Sequence, residues 1–478
     1  MSNPEDYAQS NFQAALFALA LERGGGAPLH LQLADALRGL LIGGRFAGRK
    51  LPASRVLAAE LSVSRMTVTT AYDQLAAEGY LATRRGDGTY VADHLPHLVP
   101  APKRPRPAPA PPVPPAPFHP GLPDQALFPH RAWARHLERA WTRPAPALLA
   151  RADPLGWAPL RQAIAAHLAA WRGLDCDAGQ IVVTSGAWDA FDLLRGAALQ
   201  AGARIAVEDP GWPTQQKLLQ RGGLSPCPVR IDGEGLDPAR LPGGLAAAIV
   251  TPSRHYPTGT AMPLARRLAL LGWAEAEGAL VIEDDYDSEF RYQGQPLPSL
   301  AGLDGLGRTV YMGSFSKLLS PGLRIGYLVL PEALTGAARD HLEVTGARAS
   351  LLPQPALAAF MESGEFATHL RRMRRVYARR QAHLLACLAP FEGLLSLSAD
   401  PSGMHLMLPL GPDLAGRVPD REISARAAAE GMVLRALSAH ARLPDAPEGL
   451  ILGYAGFEEP RLGEAAEALG RILRAAAG

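Results

Sequence analysis

The sequence predicts two folded parts of different class: a small, mostly helical unit closed by a β-hairpin, then a large α/β unit whose mainly parallel sheet is covered by helices. Three observations predict this. At 478 residues the chain is far longer than one domain of roughly 150 residues. Residues 100–117 hold 10 prolines in 18 positions, which excludes helix and central strand and favours an extended polyproline II spacer. Beyond that spacer, amphipathic stretches alternate with short apolar runs, the pattern of strands buried under helices. The boundaries so drawn are 12–94, a linker over 95–118 able to span up to ~70 Å, and 119–478.

Composition narrows the class. With 47% apolar and 20% charged residues the chain reads as globular rather than fibrous or disordered. No apolar run reaches the ~20 residues that cross a bilayer. Glu5 and Asp6 stand where a secretory leader carries positive charge, so the expected compartment is the cytoplasm. Cys176, Cys227 and Cys387 are too few and too scattered for a disulfide framework or a metal cluster, and read as packing residues. The net charge, 48 minus 46 or +2, carries no global signature of a nucleic-acid binder, so local balance decides. The only lysines are Lys50, Lys103, Lys217 and Lys317, against 44 arginines. In so lysine-poor a chain a retained primary amine stands out, because only a primary amine forms a Schiff base with a carbonyl.

In the first unit, Leu33, Leu37, Leu40 and Leu41 fall at helical spacing until Gly43 and Gly44 stop the run. Ser54 is placed to cap a short second helix with Leu57 and Leu61 on its inner face. Ser64 caps a third, on which Val68, Ala71, Tyr72 and Leu75 give i, i+3, i+4, i+7, and Gly79 ends it. Residues 80–84 and 89–91 then read as strands around Arg85, Gly86, Asp87 and Gly88. Helix, turn, helix and hairpin together make a winged helix-turn-helix. From Arg38 to Arg85 there are eight basic residues against Glu60, Asp73 and Glu78, a local balance of +5. Arg65, Thr67, Thr69 and Thr70 open the third helix with donors suited to base edges and phosphates, although a solvated protein-contact face has the same look.

The run LPASRVLAAELSVSRMTVTTAYDQLAAEGYLATRRGDGTYV resembles the DNA-binding domain of the GntR family. That resemblance implies operator contacts at Arg55, Ser64, Arg65, Thr67 and Thr69, with Arg85 and Gly86 at the wing. Phosphate contacts then supply most of the affinity and a few side chains the specificity.

In the second unit, residues 159–171 read as helix, and 181–183, 205–207, 246–250, 280–282 and 310–312 as strands. Ligands in such sheets bind just past the carboxyl ends of the strands. There the sequence places Thr184-Ser185-Gly186-Ala187 before a helical run, a phosphate cradle or simply a strand-to-helix turn. After 280–282 come Asp284 and Tyr286, on one face with period two if the strand continues; alone they read equally as a solvated acidic loop. Lys317 follows in Gly313-Ser314-Phe315-Ser316-Lys317, with Arg324 seven residues on. Pyridoxal 5'-phosphate asks for an amine, an acid for its ring nitrogen, a donor for its phenolate and a cationic, hydroxyl-rich nest for its phosphate. Lys317, Asp284, Tyr286 and the group Ser185, Gly186, Ser314 and Arg324 offer all four.

This unit resembles the fold-type-I aminotransferases from FHPGLPDQALFP through DPLGWAPLR, VTSGAWDA, EDPGWP, YPTGTAMP, EDDYDSEF and SFSKLLSPGLRIGY. The resemblance implies large and small subdomains, Trp212 stacked on the pyridine, and Ser314 and Arg324 on the phosphate, with Ala187 and Ser316 in the surrounding turns. The whole chain is similar to the MocR subfamily of bacterial regulators. That similarity implies a head-to-tail homodimer and promoter DNA as partner; the expected effector is an amine or amino acid exchanging with Lys317, or pyridoxal phosphate itself.

Three departures bear on whether the unit catalyses or senses. Tyr256 replaces the usual asparagine before Pro257-Thr258-Gly259. Gly449-Leu450-Ile451-Leu452-Gly453 lacks the arginine that clamps a substrate carboxylate, leaving Arg435 or Arg442 to serve an effector. Arg151 stands where a tyrosine commonly reaches the neighbour's phosphate, and is expected to take that role. The first reading is therefore a pyridoxal-phosphate-dependent regulator, the second a working aminotransferase, the third a DNA-binding scaffold without cofactor.

Overall fold

Leu33, Leu37 and Leu41 recur at helical spacing, and in the computed structural model they are fully buried along one face of α1 (Leu29–Leu41). The structure describes residues 12–23, 27–42, 46–84, 86–93, 115–150, 153–295, 297–346 and 348–478. The chain folds as two units that divide at Pro112–Val113. In the first, α1 packs with α2 (Ser54–Glu60) and α3 (Arg65–Ala77), and β1 (Leu81–Arg84) pairs antiparallel with β2 (Gly88–Val91). Val68, Ala71, Tyr72 and Leu75 are buried as their spacing requires. Phe12, Leu16 and Val91 close the same core. Ser64 caps α3, its Oγ accepting from Thr67 N at 3.0 Å. Ser54 does not cap α2. It is already helical, and its Oγ accepts instead from Arg65 Nε at 3.3 Å, so the hydroxyl ties the two helices together.

The spacer lies outside the described residues up to 114. From 115 on it is fixed to the second unit: Pro115 O accepts from Arg461, Pro117 O from Val433 N, and Phe118 bridges Gly453. The folded unit thus begins before residue 119, because Phe118 is wholly buried and anchors the incoming strand.

Helices α4 (His130–Thr142), α5 (Pro146–Leu149) and α6 (Ala158–Arg172) lead into an eight-stranded sheet of order β3-β10-β9-β8-β7-β4-β5-β6. Its strands are β3 (Ile181–Thr184), β4 (Arg204–Asp209), β5 (Ser225–Asp232), β6 (Gly235–Leu236), β7 (Ala247–Val250), β8 (Leu280–Asp285), β9 (Thr309–Ser314) and β10 (Gly326–Val329). The run from β5 to β9 is parallel, while β10 lies antiparallel between β3 and β9. Alternate residues of one strand serve opposite faces. Ile205, Val207, Ile249, Ile282 and Val310 pack with α7 (Ala187–Ala197) and α8 (Pro213–Arg221) on one side; Ala206, Ala248, Val250 and Val281 pack with α9 (Leu264–Glu277) on the other.

Then follow α10 (Leu300–Asp304), α11 (Phe315–Leu318), α12 (Glu332–Thr345), α13 (Gln354–Glu362) and the 24-residue α14 (Glu365–Leu388). A smaller antiparallel sheet, β11 (His405–Pro409), β13 (Gly449–Gly453) and β12 (Arg435–Ala436), is covered by α15 (Asp420–Ala429) and α16 (Glu459–Ala477). The three cysteines are free and half-buried at the margins of these cores. Among the described residues no helix is long and apolar enough to cross a membrane.

Candidate functional site

Lys317 lies in the single turn α11, which Ser314 opens by accepting from Ser316 N at 3.2 Å. The amine donates to Gly121 O at 2.7 Å. Burial, reinforced by the Arg435 charge, lowers its pKa below the ordinary lysine value, with Asp287 and Asp284 opposing. A depressed pKa favours the neutral, nucleophilic amine.

The end of β8 alternates as period two requires. Glu283, Asp285 and Asp287 turn into the core: Asp285 pairs with Arg172 at 2.8 Å and accepts from Tyr311 Oη at 2.7 Å, and Asp287 meets Arg254 at 3.3 Å. Asp284 and Tyr286 take the other face and keep some exposure. Burial and the adjacent Asp285 carboxylate push the Asp284 carboxyl up to about 7, with Lys317 pulling it down. The Tyr286 phenol accepts from Arg254 Nη1 at 3.1 Å. Arg254 is itself fixed by Asp400 at 2.8 Å and by the His405 carbonyl at 2.6 Å.

A third group assembles where three strands end together, with Thr184, Gly326 and Ser314 in register across β3, β10 and β9. Gly326 has to be small, since a Cβ there would lie 3.1 Å from Thr184 Oγ1 and 3.3 Å from Gly186 Cα. Gly186, at φ 117°, opens α7 at Ala187 with no side chain bonded to the first-turn N–H groups. A Cβ on Gly186 would stand 3.7 Å from an Arg324 guanidinium nitrogen, so that cation lies beside the helix N-terminus. Arg324 adopts a left-handed conformation, φ 52°, strain of the kind found where a side chain must reach a ligand. Thr184 Oγ1 is buried there without a partner. Ser185 gives its N–H to Asp189 at 2.8 Å, leaving its hydroxyl to the nest. An amine, a carboxyl, a phenol and a nest of N–H, hydroxyl and guanidinium groups thus border one cleft, a donor set that fits pyridoxal 5'-phosphate.

Trp212 is half-buried at the start of α8, in a loop held by Gly211 N donating to His440 O at 3.1 Å. Arg435 lies close enough to act electrostatically on Lys317, on Tyr256 and on His119. It also lines a cavity of about 300 Å³ with Pro213, Arg421 and His440. Arg442 is exposed, and its backbone N–H donates to Asp209 at 2.6 Å. Arg151 lies outside the described residues.

Sequence reasoning gave no role to Gly121, His119, Arg254 or His440. His440 Nε2 lies 3.3 Å from the Tyr256 hydroxyl, and the Tyr256 ring meets Tyr286 edge-on at 6.0 Å. Arg254 was noticeable only as a basic residue beside the Tyr256 substitution; its carboxylate partners come from segments 30 and more residues away.

On the first unit, Arg55, Ser64 and Arg65 are exposed, Thr67 and Thr69 half-exposed, and Met66 protrudes between them. All three of the hydroxyls are already engaged: Ser64 in its cap, Thr67 Oγ1 with Ser64 Oγ at 2.8 Å, and Thr69 Oγ1 donating to Arg65 O at 3.0 Å. The charge count overstates the free cations, because Arg38 pairs with Glu78 at 2.7 Å and Lys50 with Asp87 at 2.8 Å. Gly86 is exposed at the wing; Arg85 lies outside the described residues.

A helix-turn-helix head with a hairpin wing, followed by an α/β body with a lysine-centred cleft, defines a class of protein: a transcriptional regulator whose larger half has the aminotransferase fold. Residues 29–91 match the model of the gntR family of bacterial regulatory proteins, and residues 138–469 that of aminotransferase class I and II. The chain is 38% identical over 473 residues to the probable rhizopine catabolism regulatory protein MocR of Rhizobium meliloti, covering 94% of this chain and 95% of that protein. It is 36% identical to the pyridoxine biosynthesis transcriptional regulator PdxR of Corynebacterium glutamicum, covering 90% and 93%. Among solved structures, an archaeal alanine:glyoxylate aminotransferase superposes with TM-score 0.68 at 20% identity, covering 74% of this chain and 89% of that one. LysN, the alpha-aminoadipate aminotransferase of Thermus thermophilus, does so with TM-score 0.65 at 26% identity, covering 75% and 92%. The chain belongs to the MocR subfamily of GntR-type transcriptional regulators.

Proposed function

We propose that this regulator holds pyridoxal 5'-phosphate at Lys317 and couples occupancy of that cleft by an amine or amino acid to promoter binding by its winged unit. The observation that carries the reading is the joint position of the Lys317 amine, the Asp284 carboxyl and the Arg324 guanidinium beside Gly186. When bound, the cofactor supplies an aldehyde and an electron-withdrawing ring. The protein's own groups do the rest. Lys317 presents an amine whose pKa burial lowers, Asp284 holds a proton for the ring nitrogen, and Arg254 fixes the Tyr286 phenol as a donor. Ser185, Gly186, Ala187, Ser314, Ser316 and Arg324 form the phosphate nest, and Trp212 covers the ring.

Arg435 is the effector's carboxylate clamp in this reading. The β12–β13 ladder sets it directly opposite Ile451, in the stretch that lacks the expected arginine, so a guanidinium on the neighbouring strand serves the same cleft. On the winged unit Arg55, Arg65, Thr67 and Thr69 face the operator, with Ser64 fixing the helix entry and Arg85 and Gly86 at the wing. The working form is a head-to-tail homodimer in the cytoplasm, with Arg151 reaching a cofactor phosphate.

Borohydride treatment in the presence of pyridoxal phosphate, followed by peptide mass spectrometry, tests the reading. A single adduct at Lys317 supports it, and no adduct there sinks it. Retardation of the protein's own upstream DNA, with and without the cofactor, tests the coupling. Multiple turnover with an amino donor and a keto acceptor would instead establish an aminotransferase, which the complete set of cofactor groups permits.

A further inference from the structure

The stripe of α14 that carries Arg371, Arg374, Arg375 and Ala378 follows i, i+3, i+4, i+7 and therefore faces one direction. With Arg291 and Tyr292, from the segment after β8, it lines a cavity of about 390 Å³, large enough for a small metabolite. The opposite stripe, Leu370, Met373, Tyr377 and Leu384, is buried in the core and locks the helix in place. Neighbouring arginines are neutralised, Arg379 by Glu459 at 2.5 Å and Arg380 by Asp124 at 2.7 Å. Among the described residues no carboxylate lies within ion-pair distance of Arg291, Arg371, Arg374 or Arg375.

Two details show that these cations are held in place rather than trailing in solvent. The Nε atoms of Arg291 and Arg374 are buried with no hydrogen-bond partner, and the Arg374 guanidinium lies over the Trp171 ring at 4.3 Å. Arg371 is steadied by Thr368 Oγ1 at 2.9 Å, and Arg291 by a backbone bridge to Ser402. Four like charges kept together with no carboxylate at ion-pair distance, Glu289 acting on Arg374 only from further off, repel one another, and a bound anion removes that cost while satisfying the orphaned donors. Planar guanidinium forks match phosphate oxygens in pairs, and four of them match an anion bearing more than one negative charge. We propose that this cavity binds a small molecule through a diphosphate group. It shares no residue with the lysine cleft and does not rest on the cofactor reading.

Calorimetric titration of the full chain, saturated with pyridoxal phosphate, with inorganic pyrophosphate at about 0.15 M salt tests the proposal. We expect saturable binding, one pyrophosphate per chain. Arg371→Gln with Arg375→Gln, both at exposed positions, loosens it by about tenfold or more per arginine, Arg374→Lys loosens it although the charge is kept, and Arg426→Gln, at an exposed position on α15, leaves it unchanged. Adenosine diphosphate in competition tells a nucleotide site, where it binds tighter, from one for free pyrophosphate, where it binds more weakly. The proposal is overturned if no saturable binding occurs, if the double variant binds like the parent, or if sulfate binds as tightly. It is also overturned if the double variant lowers the salt dependence of operator binding, which would make the surface a DNA-phosphate contact, or alters the sedimentation coefficient, which would make it an interface between copies.

Discussion

Glu208 illustrates how the cleft charges individual residues with a cost. Its carboxyl is buried at the end of β4, accepts from Thr251 N at 3.0 Å and Thr251 Oγ1 at 2.7 Å, and is pushed up to about 8 by burial. A carboxyl raised above its ordinary 4.5 binds its proton more tightly folded than unfolded. Its contribution is therefore fully present below pH 4.5 and is lost as pH rises towards 8. Glu208→Gln keeps the acceptor and removes the titration, so its unfolding free energy, read from thermal melts, should match the parent at pH 4.5 and exceed it increasingly up to pH 8, by on the order of 1 to 3 kcal/mol there. Parallel pH–melting curves for the two proteins would refute this. At Arg435 the expectation concerns binding alone: Arg435→Leu should weaken a carboxylate-bearing effector by roughly tenfold or more while leaving the cofactor adduct at Lys317 intact. Lys317 was legible from the sequence because one of only four lysines in an arginine-rich chain is chemically conspicuous. Arg254 and Gly121 were not, because a buried ion pair and a backbone carbonyl carry no local pattern.

At the level of elements, the register of the strands does what individual side chains cannot. The β3-β10-β9 seam sets Thr184, Gly326 and Ser314 abreast, so the nest depends on backbone spacing as much as on its donors. Gly326→Ala should push Gly186 and Thr184 apart by a few tenths of an ångström and weaken cofactor retention, with a destabilisation of about 1 to 3 kcal/mol; unchanged retention on dialysis would count against the nest. In the winged unit, Ser64→Ala removes the cap of α3 and should cost about 1 kcal/mol in thermal or urea unfolding. Helices with a clean apolar stripe, α3 and α6, were readable to within two residues, because burial of that stripe is what makes them helices; α1 begins at Leu29, four residues before the first residue of its predicted stripe. β10 and the small sheet were not, since β10 is four residues long and both depend on partners distant in sequence for their hydrogen bonds.

On the scale of the whole molecule, the proline-rich stretch is the clearest signal in the sequence and separates two bodies that fold around their own cores. In the homodimer proposed above, a tether would fix the effective concentration of one head once the other is bound. Deleting about ten residues from 100–112 should lower affinity for an operator with two half-sites by roughly tenfold or more while leaving a single half-site unaffected, as fluorescence anisotropy on the two DNAs would show. The place where that tether is moored has its own chemistry. Within seven residues the incoming chain gives Pro115 O to Arg461, Pro117 O to Val433, a bridge from Phe118 to Gly453, and Gly121 O to Lys317 Nζ. The amine proposed to hold the cofactor is also the last knot in that rope, so a ligand that took its nitrogen would cost the mooring its Gly121 bond.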